Sequence, residues 1–255
     1  MPLAPLRKLT ERLVSDSGEP APLLVDGREL PVEVKRNARA RRIIMRMNPK
    51  TGGITLTLPP ATSVAEGVAF AQSNVAWIAA RLKRQPDFVP FADGAEIPLR
   101  GEMHRIRHLP SARGTAWSEP AHTPGDLPAL CVAGRAEHLE RRLRDWLKAE
   151  ARKDLVEASA HYADKMGLKF SRIAVRDQSS RWGSCSSNGT LSYSWRLILA
   201  PGDVLDYVAA HEVAHLAEMN HGPRFWRLVE TNCAQTGTAR HWLRQHGMEL
   251  HKYGR

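Results

Sequence analysis

Apolar and polar positions change rhythm twice along this chain. From Leu23 to Leu58 the rhythm is strand-like: Leu30-Pro31-Val32-Glu33-Val34, Ile43-Ile44-Met45-Arg46-Met47 and Ile54-Thr55-Leu56-Thr57-Leu58 are short β-branched or alternating runs. Asn48-Pro49-Lys50-Thr51-Gly52-Gly53 reads as a turn between the last two, so antiparallel hairpins are expected. Residues 1–22 are polar and Pro-containing, the pattern of a flexible tail. Ser63-Val64-Ala65-Glu66 is a capping box; the helix it opens carries Val68, Phe70, Val75, Trp77, Ile78 and Leu82 and stops before Pro86, with Trp77 assigned to the core. Short strands are expected near Glu96 to Leu99 and Met103 to His108, followed by a Pro-, Ser-, Gly- and His-rich loop from Pro110 to Pro128.

The rhythm turns helical at Ala136. Leu139, Leu143, Trp146, Leu147, Leu155, Tyr162 and Met166 recur at helical spacing and predict one long helix ending at Gly167, with an interruption left open. A strand over Phe170 to Val175 follows, then a hairpin at Asn188-Gly189 whose arms are Trp182 to Ser187 and Thr190 to Leu197. Pro201-Gly202 breaks the chain, Asp203 caps a helix, and Val204, Leu205, Val208, Ala209 and Leu216 form its apolar flank. Phe225, Trp226, Leu228 and Val229, then Trp242, Leu243 and Leu250, predict two packing helices with core aromatics.

Composition narrows the class. At 255 residues and 42% hydrophobic, the chain can bury a sizeable core. No stretch approaches the roughly 18 apolar residues of a membrane span, and the N-terminal segment lacks the apolar run of a signal peptide, so no membrane partner and a cytoplasmic location are expected. Cys131, Cys185 and Cys233 are far apart and form no C-x-x-C pair, which predicts reduced thiols. The formal charge of +10 raises nucleic acid as a possible partner. Basic residues gather at Lys35, Arg36, Arg39, Arg41, Arg42 and Arg46, and again at Arg141, Arg142, Arg144 and Lys148. No interleaved aromatics accompany them, which favours a solvated surface.

The candidate chemistry lies in His211-Glu212-Val213-Ala214-His215, with His221 beyond it. Residues four apart share a helix face, about 6 Å apart, so both imidazoles can reach one cation with Glu212 beside them. The turn-forming Asn220, Gly222 and Pro223 can return His221 to the same cation. Three histidines with an open fourth position describe a catalytic zinc site, and Glu212 is placed to act as general base toward a peptide or amide carbonyl. Should His221 not reach, Glu218 or Glu230 is the substitute ligand. His104, His108 and His122 have no compact metal spacing. A sheet edge before the zinc helix could hold a peptide as an added strand. Arg181 could polarise a carbonyl or form a structural ion pair, and Cys185 could approach the metal or be a small buried side chain.

Arg181-Trp182-Gly183-Ser184-Cys185, Ser194-Trp195-Arg196-Leu197, Tyr207-Val208, the His211 to His215 core, and Asn220-His221 followed by Phe225-Trp226 together resemble the YgjP-like family of zinc metallopeptidases. The Arg-rich strands, Pro59-Pro60 and Trp77-Ile78 extend the resemblance over about Leu23 to Tyr253. That family is similar to the SprT-like and WLM peptidases, which act on proteins crosslinked to DNA, and to short gluzincin-like peptidases. The resemblance implies that His211, His215 and His221 bind zinc and that Glu212 is the catalytic acid/base. Glu218 stands where metzincins have a glycine and no Met-turn follows, so that clan is not assigned.

The expected fold class is α+β: a zincin-like core over 136–255, antiparallel sheet plus active-site helix, behind a β-rich region with one helix over 23–135. Residues 23–253 would form one family-level unit. The expected function is zinc-dependent hydrolysis of a protein or peptide. The alternatives are a protease acting on nucleic-acid-bound proteins, and a non-enzymatic module in which zinc is a structural clip.

Overall fold

The protein is described by a computed structural model over residues 20–48, 51–82, 88–178 and 181–254. Most of the expected tail, and Pro49 and Lys50 of the expected turn, lie outside the described residues. The architecture is mixed α+β. Contacts divide the chain into two compact units, Met1–Pro86 with Arg255, and Asp87–Gly254.

In the first unit β1 (Leu23–Val25) and β2 (Arg28–Leu30) form a hairpin through Asp26-Gly27, both at positive φ (49° and 76°). A second sheet has the order β3 (Val32–Arg36), β5 (Ile54–Leu58), β4 (Ile44–Met47). The expected hairpin exists only between β4 and β5, closed by Asn48 N donating to Gly53 O at 2.8 Å; β3 runs parallel to β5. The central place goes to β5 because its Ile54, Leu56 and Leu58 are fully buried, while β3 has no buried residue. α1 (Val64–Ser73) opens on the capping box, with Ser63 Oγ accepting from Glu66 N at 3.1 Å and Glu66 accepting from Ser63 N at 2.7 Å. The single helix expected here is two. Asn74 donates from its side chain to Phe70 O at 2.8 Å, competing with the helical ladder, and α2 (Val75–Leu82) starts after it. Trp77 is 44% exposed, a correction to its core assignment: α2 faces the core through the buried Ile78, flanked by the partly buried Val75 and Leu82, and Trp77 falls outside that stripe.

In the second unit β6 (Glu96–Leu99), β7 (Glu102–Leu109), β8 (Ala116–Glu119) and β9 (Ala129–Ala133) form a sheet of order β6-β7-β9-β8. β8 lies inside the stretch expected to be a loop. Four residues between Gly- and Pro-rich flanks are too few to show a period, and pairing with the wholly buried β9 makes them a strand. α3 (Leu139–Met166) is uninterrupted; Leu139, Leu143, Leu147, Ala151, Leu155 and Tyr162 are buried along it, and Gly167 ends it at φ 67°. Each fully buried leucine contributes about 1.5–3 kcal/mol. Strands over 96–133, grouped with the N-terminal part by sequence, pack with α3 in this unit.

A third sheet has the order β10 (Arg172–Arg176), β12 (Thr190–Ser194), β11 (Gly183–Cys185). It is mixed, where an antiparallel sheet was expected: β10 is parallel to β12 and β11 antiparallel to it. The connection between β11 and β12 is the short hairpin foreseen at Asn188-Gly189. Its loop is closed by Ser186 N donating to Thr190 O at 3.0 Å, with Gly189 at φ 75°. The strand ends at Ser194, and Trp195–Leu199 is a buried 3-10 turn rather than strand. α4 (Gly202–Ala214), α5 (Pro223–Asn232) and α6 (Thr236–His246) follow, and Leu250 lies in a further 3-10 turn, Gly247–Lys252. The buried Arg196 guanidinium donates to the carbonyls of Leu250, Tyr253 and Gly254, tying that end to the core. Cys131 and Cys233 are buried and Cys185 half-buried, all as free thiols. No helix among the described residues is long and apolar enough to cross a membrane.

Candidate metal centre

α4 delivers the first part of the site. Pro201 O accepts from Val204 N at 3.0 Å, and Asp203 sits in the first turn, where it favours the helix dipole, rather than at the cap. One side of α4 is core, with Val204, Val208, Ala209 and Val213 buried. The helix stops at Ala214, and His215 is its C-cap. Tightened turns follow, with Leu216 N donating to Val213 O at 2.9 Å and Ala217 N to Ala214 O at 3.1 Å. The chain reverses through Asn220, and α5 starts at Pro223.

That reversal brings the third histidine back. His221 Nε2 lies 3.0 Å from His211 Nε2, and ligand atoms of His211, His215 and His221 all lie within 4.8 Å of one another. Among the described residues this is the group of His, Cys, Asp and Glu side chains able to hold a metal ion. Glu218 contributes its carbonyl, which accepts from His215 Nδ1 at 3.0 Å, while its carboxylate and that of Glu230 lie outside the cluster. Tyr207 Oη lies 3.4 Å from His211 Nδ1. Phe225, fully buried, touches all three imidazoles, with centroids at 4.8, 4.5 and 4.8 Å from His211, His215 and His221. Trp226 adds contacts to His211 and His221.

Electrostatics favours the neutral form of His211 and His215. Burial first, then repulsion from His215 and His221, pushes His211 down to about 3. Burial also lowers His215, against the Glu218 carbonyl that raises it. Neutral imidazoles are the form that ligates a cation. Burial pushes Glu212 up to about 8, with Arg181 pulling the other way. Its Oε2 is buried and carries no hydrogen bond among the described residues. A buried carboxyl oxygen without a partner, beside three converging nitrogens, fits a bound cation and a reacting water.

β11 forms the opposite wall. A Cβ at Gly183 would lie 2.5 Å from both Cγ and Oε1 of Glu212, so any side chain there would force that carboxyl or the strand to shift. A cavity of about 230 Å3 is lined by Gly183, Ser184, Cys185, His211, Glu212, His215, Met219 and His221. Cys185 lines it without joining the histidine cluster; burial, then Glu212, raises its thiol. Arg181 is exposed and acts on Glu212 by charge. A larger cavity of about 520 Å3, at Arg100, Asp154 and Asp206, shares none of these residues.

Sequence reading assigned Phe225 to the core, which holds, and missed that its ring also shapes the site; the signal was its closeness to His221. Gly183 and Tyr207 had no role beyond the motifs containing them. Several basic residues are committed to structural contacts: Arg36 donates to the carbonyls of Pro59, Pro60 and Thr62, Arg142 to that of Ala133, and Arg144 pairs with Glu140. His104 and His108 hydrogen-bond to Glu102 O and Gly134 O, His122 lies 3.7 Å from the Glu119 carboxylate, and the three form no metal cluster among the described residues.

Among known proteins, the family described as YgjP-like, metallopeptidase domain, matches residues 41–246, well over half of the 255. A solved structure, the metallopeptidase zymogen abylysin of Pyrococcus abyssi, is similar at 20% identity over 35% of this chain and 93% of that one, with a TM-score of 0.31. No curated protein matches. On the extent of the family match, this chain belongs to the YgjP-like metallopeptidases and is a peptide-bond hydrolase.

Proposed function

We propose that His211, His215 and His221 hold one zinc ion, that Glu212 is the general base, and that residues 136–255 form a zincin-like catalytic core. The observation that carries this reading is the convergence of three imidazoles beside a buried carboxyl oxygen that has no hydrogen bond among the described residues. The chemistry supplied by bound zinc is Lewis acidity, which polarises a scissile carbonyl and lowers the pKa of a water to roughly 7. Glu212 Oε2 takes a proton from the attacking water and returns it to the leaving nitrogen. Its burial supports this role by raising its proton affinity toward neutral pH. β11 pairs with β12 on one side only, and its other edge lies beside the cavity; a substrate main chain adds there as a strand, held by backbone hydrogen bonds.

Glu212→Gln tests the base. The variant should retain its zinc and lose at least about 100-fold in turnover of a peptide substrate, the lower range for general-base removal. Wild-type turnover in that variant would remove Glu212 from the chemistry. Assays with and without single-stranded DNA separate a general peptidase from one that acts on nucleic-acid-bound proteins.

A further inference from the structure

Tyr207, His211 and His215 occupy successive positions four apart along α4 and its C-cap, so they form one row along a single helix face. His211 is otherwise walled by rings. Phe225, Trp226 and Tyr207 stand edge-on to its imidazole at 74°, 63° and 67°. These carbon faces offer it no hydrogen bond. Its polar contacts among the described residues are His221 Nε2 at Nε2 and the Tyr207 hydroxyl at Nδ1.

A neutral imidazole has one N–H and one lone pair. For Nε2 to hold a cation at the shared centre, the proton must sit on Nδ1, and that N–H needs an acceptor. His215 has the Glu218 carbonyl for this purpose, at 3.0 Å. We infer that Tyr207 is the equivalent positioning residue for His211: its hydroxyl oxygen accepts the Nδ1–H, fixing tautomer and ring angle so that Nε2 faces the metal. This deepens the proposed three-histidine site and rests on it. The contact is 3.4 Å long. Because hydroxyl and ligand ride on the same rigid helix, no loop movement disturbs them. The residue is 6% exposed, so water does not substitute for the hydroxyl.

Tyr207→Phe keeps the ring and removes the acceptor. Zinc affinity, measured by competition with a chromophoric chelator, should fall about 10- to 100-fold, the usual effect of losing a partner behind a ligand. The visible absorption bands of the cobalt-substituted protein should shift, and the melting temperature of chelator-treated protein should stay at the wild-type value. Wild-type affinity and cobalt bands in Tyr207→Phe, with zinc lost in His211→Ala, would overturn the role of Tyr207 and leave the site standing. A lowered melting temperature without a cobalt shift would also overturn it, since that is what a packing role produces. Stoichiometric zinc in His211→Ala would overturn the site itself, and the inference with it.

Discussion

Replacing Gly183 by alanine isolates the contact between the sheet and the candidate base. The backbone at Gly183 is outside the left-handed region, so alanine meets no torsional penalty there, and the lost freedom of the unfolded chain would favour it by about 0.4–1 kcal/mol. Against this, the new methyl would sit 2.5 Å from Cγ and Oε1 of Glu212, where ordinary contact begins at 3.4 Å. Glu212 is 5% exposed and cannot swing into solvent, so the carboxyl or the strand must yield by close to 1 Å. Overpacking of this kind costs about 1–3 kcal/mol, and a 1 Å displacement of a reacting group can cost about 100-fold in rate. Gly183→Ala should therefore lose about 100-fold in kcat/KM and be less stable to urea, with zinc content unchanged because no histidine is touched. In a Glu212→Ala background the methyl has room, and the same substitution should become neutral or slightly stabilising. A stability loss that persists in that background, or wild-type turnover in Gly183→Ala, would refute the steric argument.

The pH dependence of the chelator-treated protein should be bell-shaped. His211 is lowered in the fold to about 3 from an ordinary 6.5, so the unfolded chain binds the extra proton between those values and stability rises with pH there. Glu212 is raised to about 8 from 4.5, so the folded protein binds the extra proton and stability falls as pH rises through that range. The two oppose between 4.5 and 6.5, which leaves a fall above 6.5; urea titrations should show Glu212→Gln flattening that fall, and an unchanged slope would contradict the burial argument. Cys185→Ser should keep full zinc and measurable turnover, since the thiol lines the cavity outside the histidine cluster; loss of zinc by metal analysis would make it a ligand and favour a structural clip.

The site was more legible in the sequence than the sheets. His211 and His215 share a helix face by spacing alone, and Asn220, Gly222 and Pro223 announced the reversal that returns His221. Capping at Ser63 and the stop at Gly167 were also readable, because each depends on side chains within a few residues. What stayed hidden depends on partners far along the chain. The parallel pairing of β3 with β5 and of β10 with β12 leaves no local signature, since it is decided by which strand is most buried. β8 is too short to show a period, and Trp77 looked like core until the break at Asn74 fixed which face of α2 is covered. Gly183 is the clearest case: its glycine is required by Glu212, 29 positions later, a reason visible only across the gap between β11 and α4.

The zinc-loaded protein should be crystallised and its anomalous diffraction recorded on both sides of the zinc absorption edge. The account predicts one strong peak about 2.0–2.1 Å from a nitrogen of each of His211, His215 and His221, with no fourth protein ligand and Glu212 outside bonding distance. A peak elsewhere, or one at this centre closed by Cys185 Sγ, would contradict it.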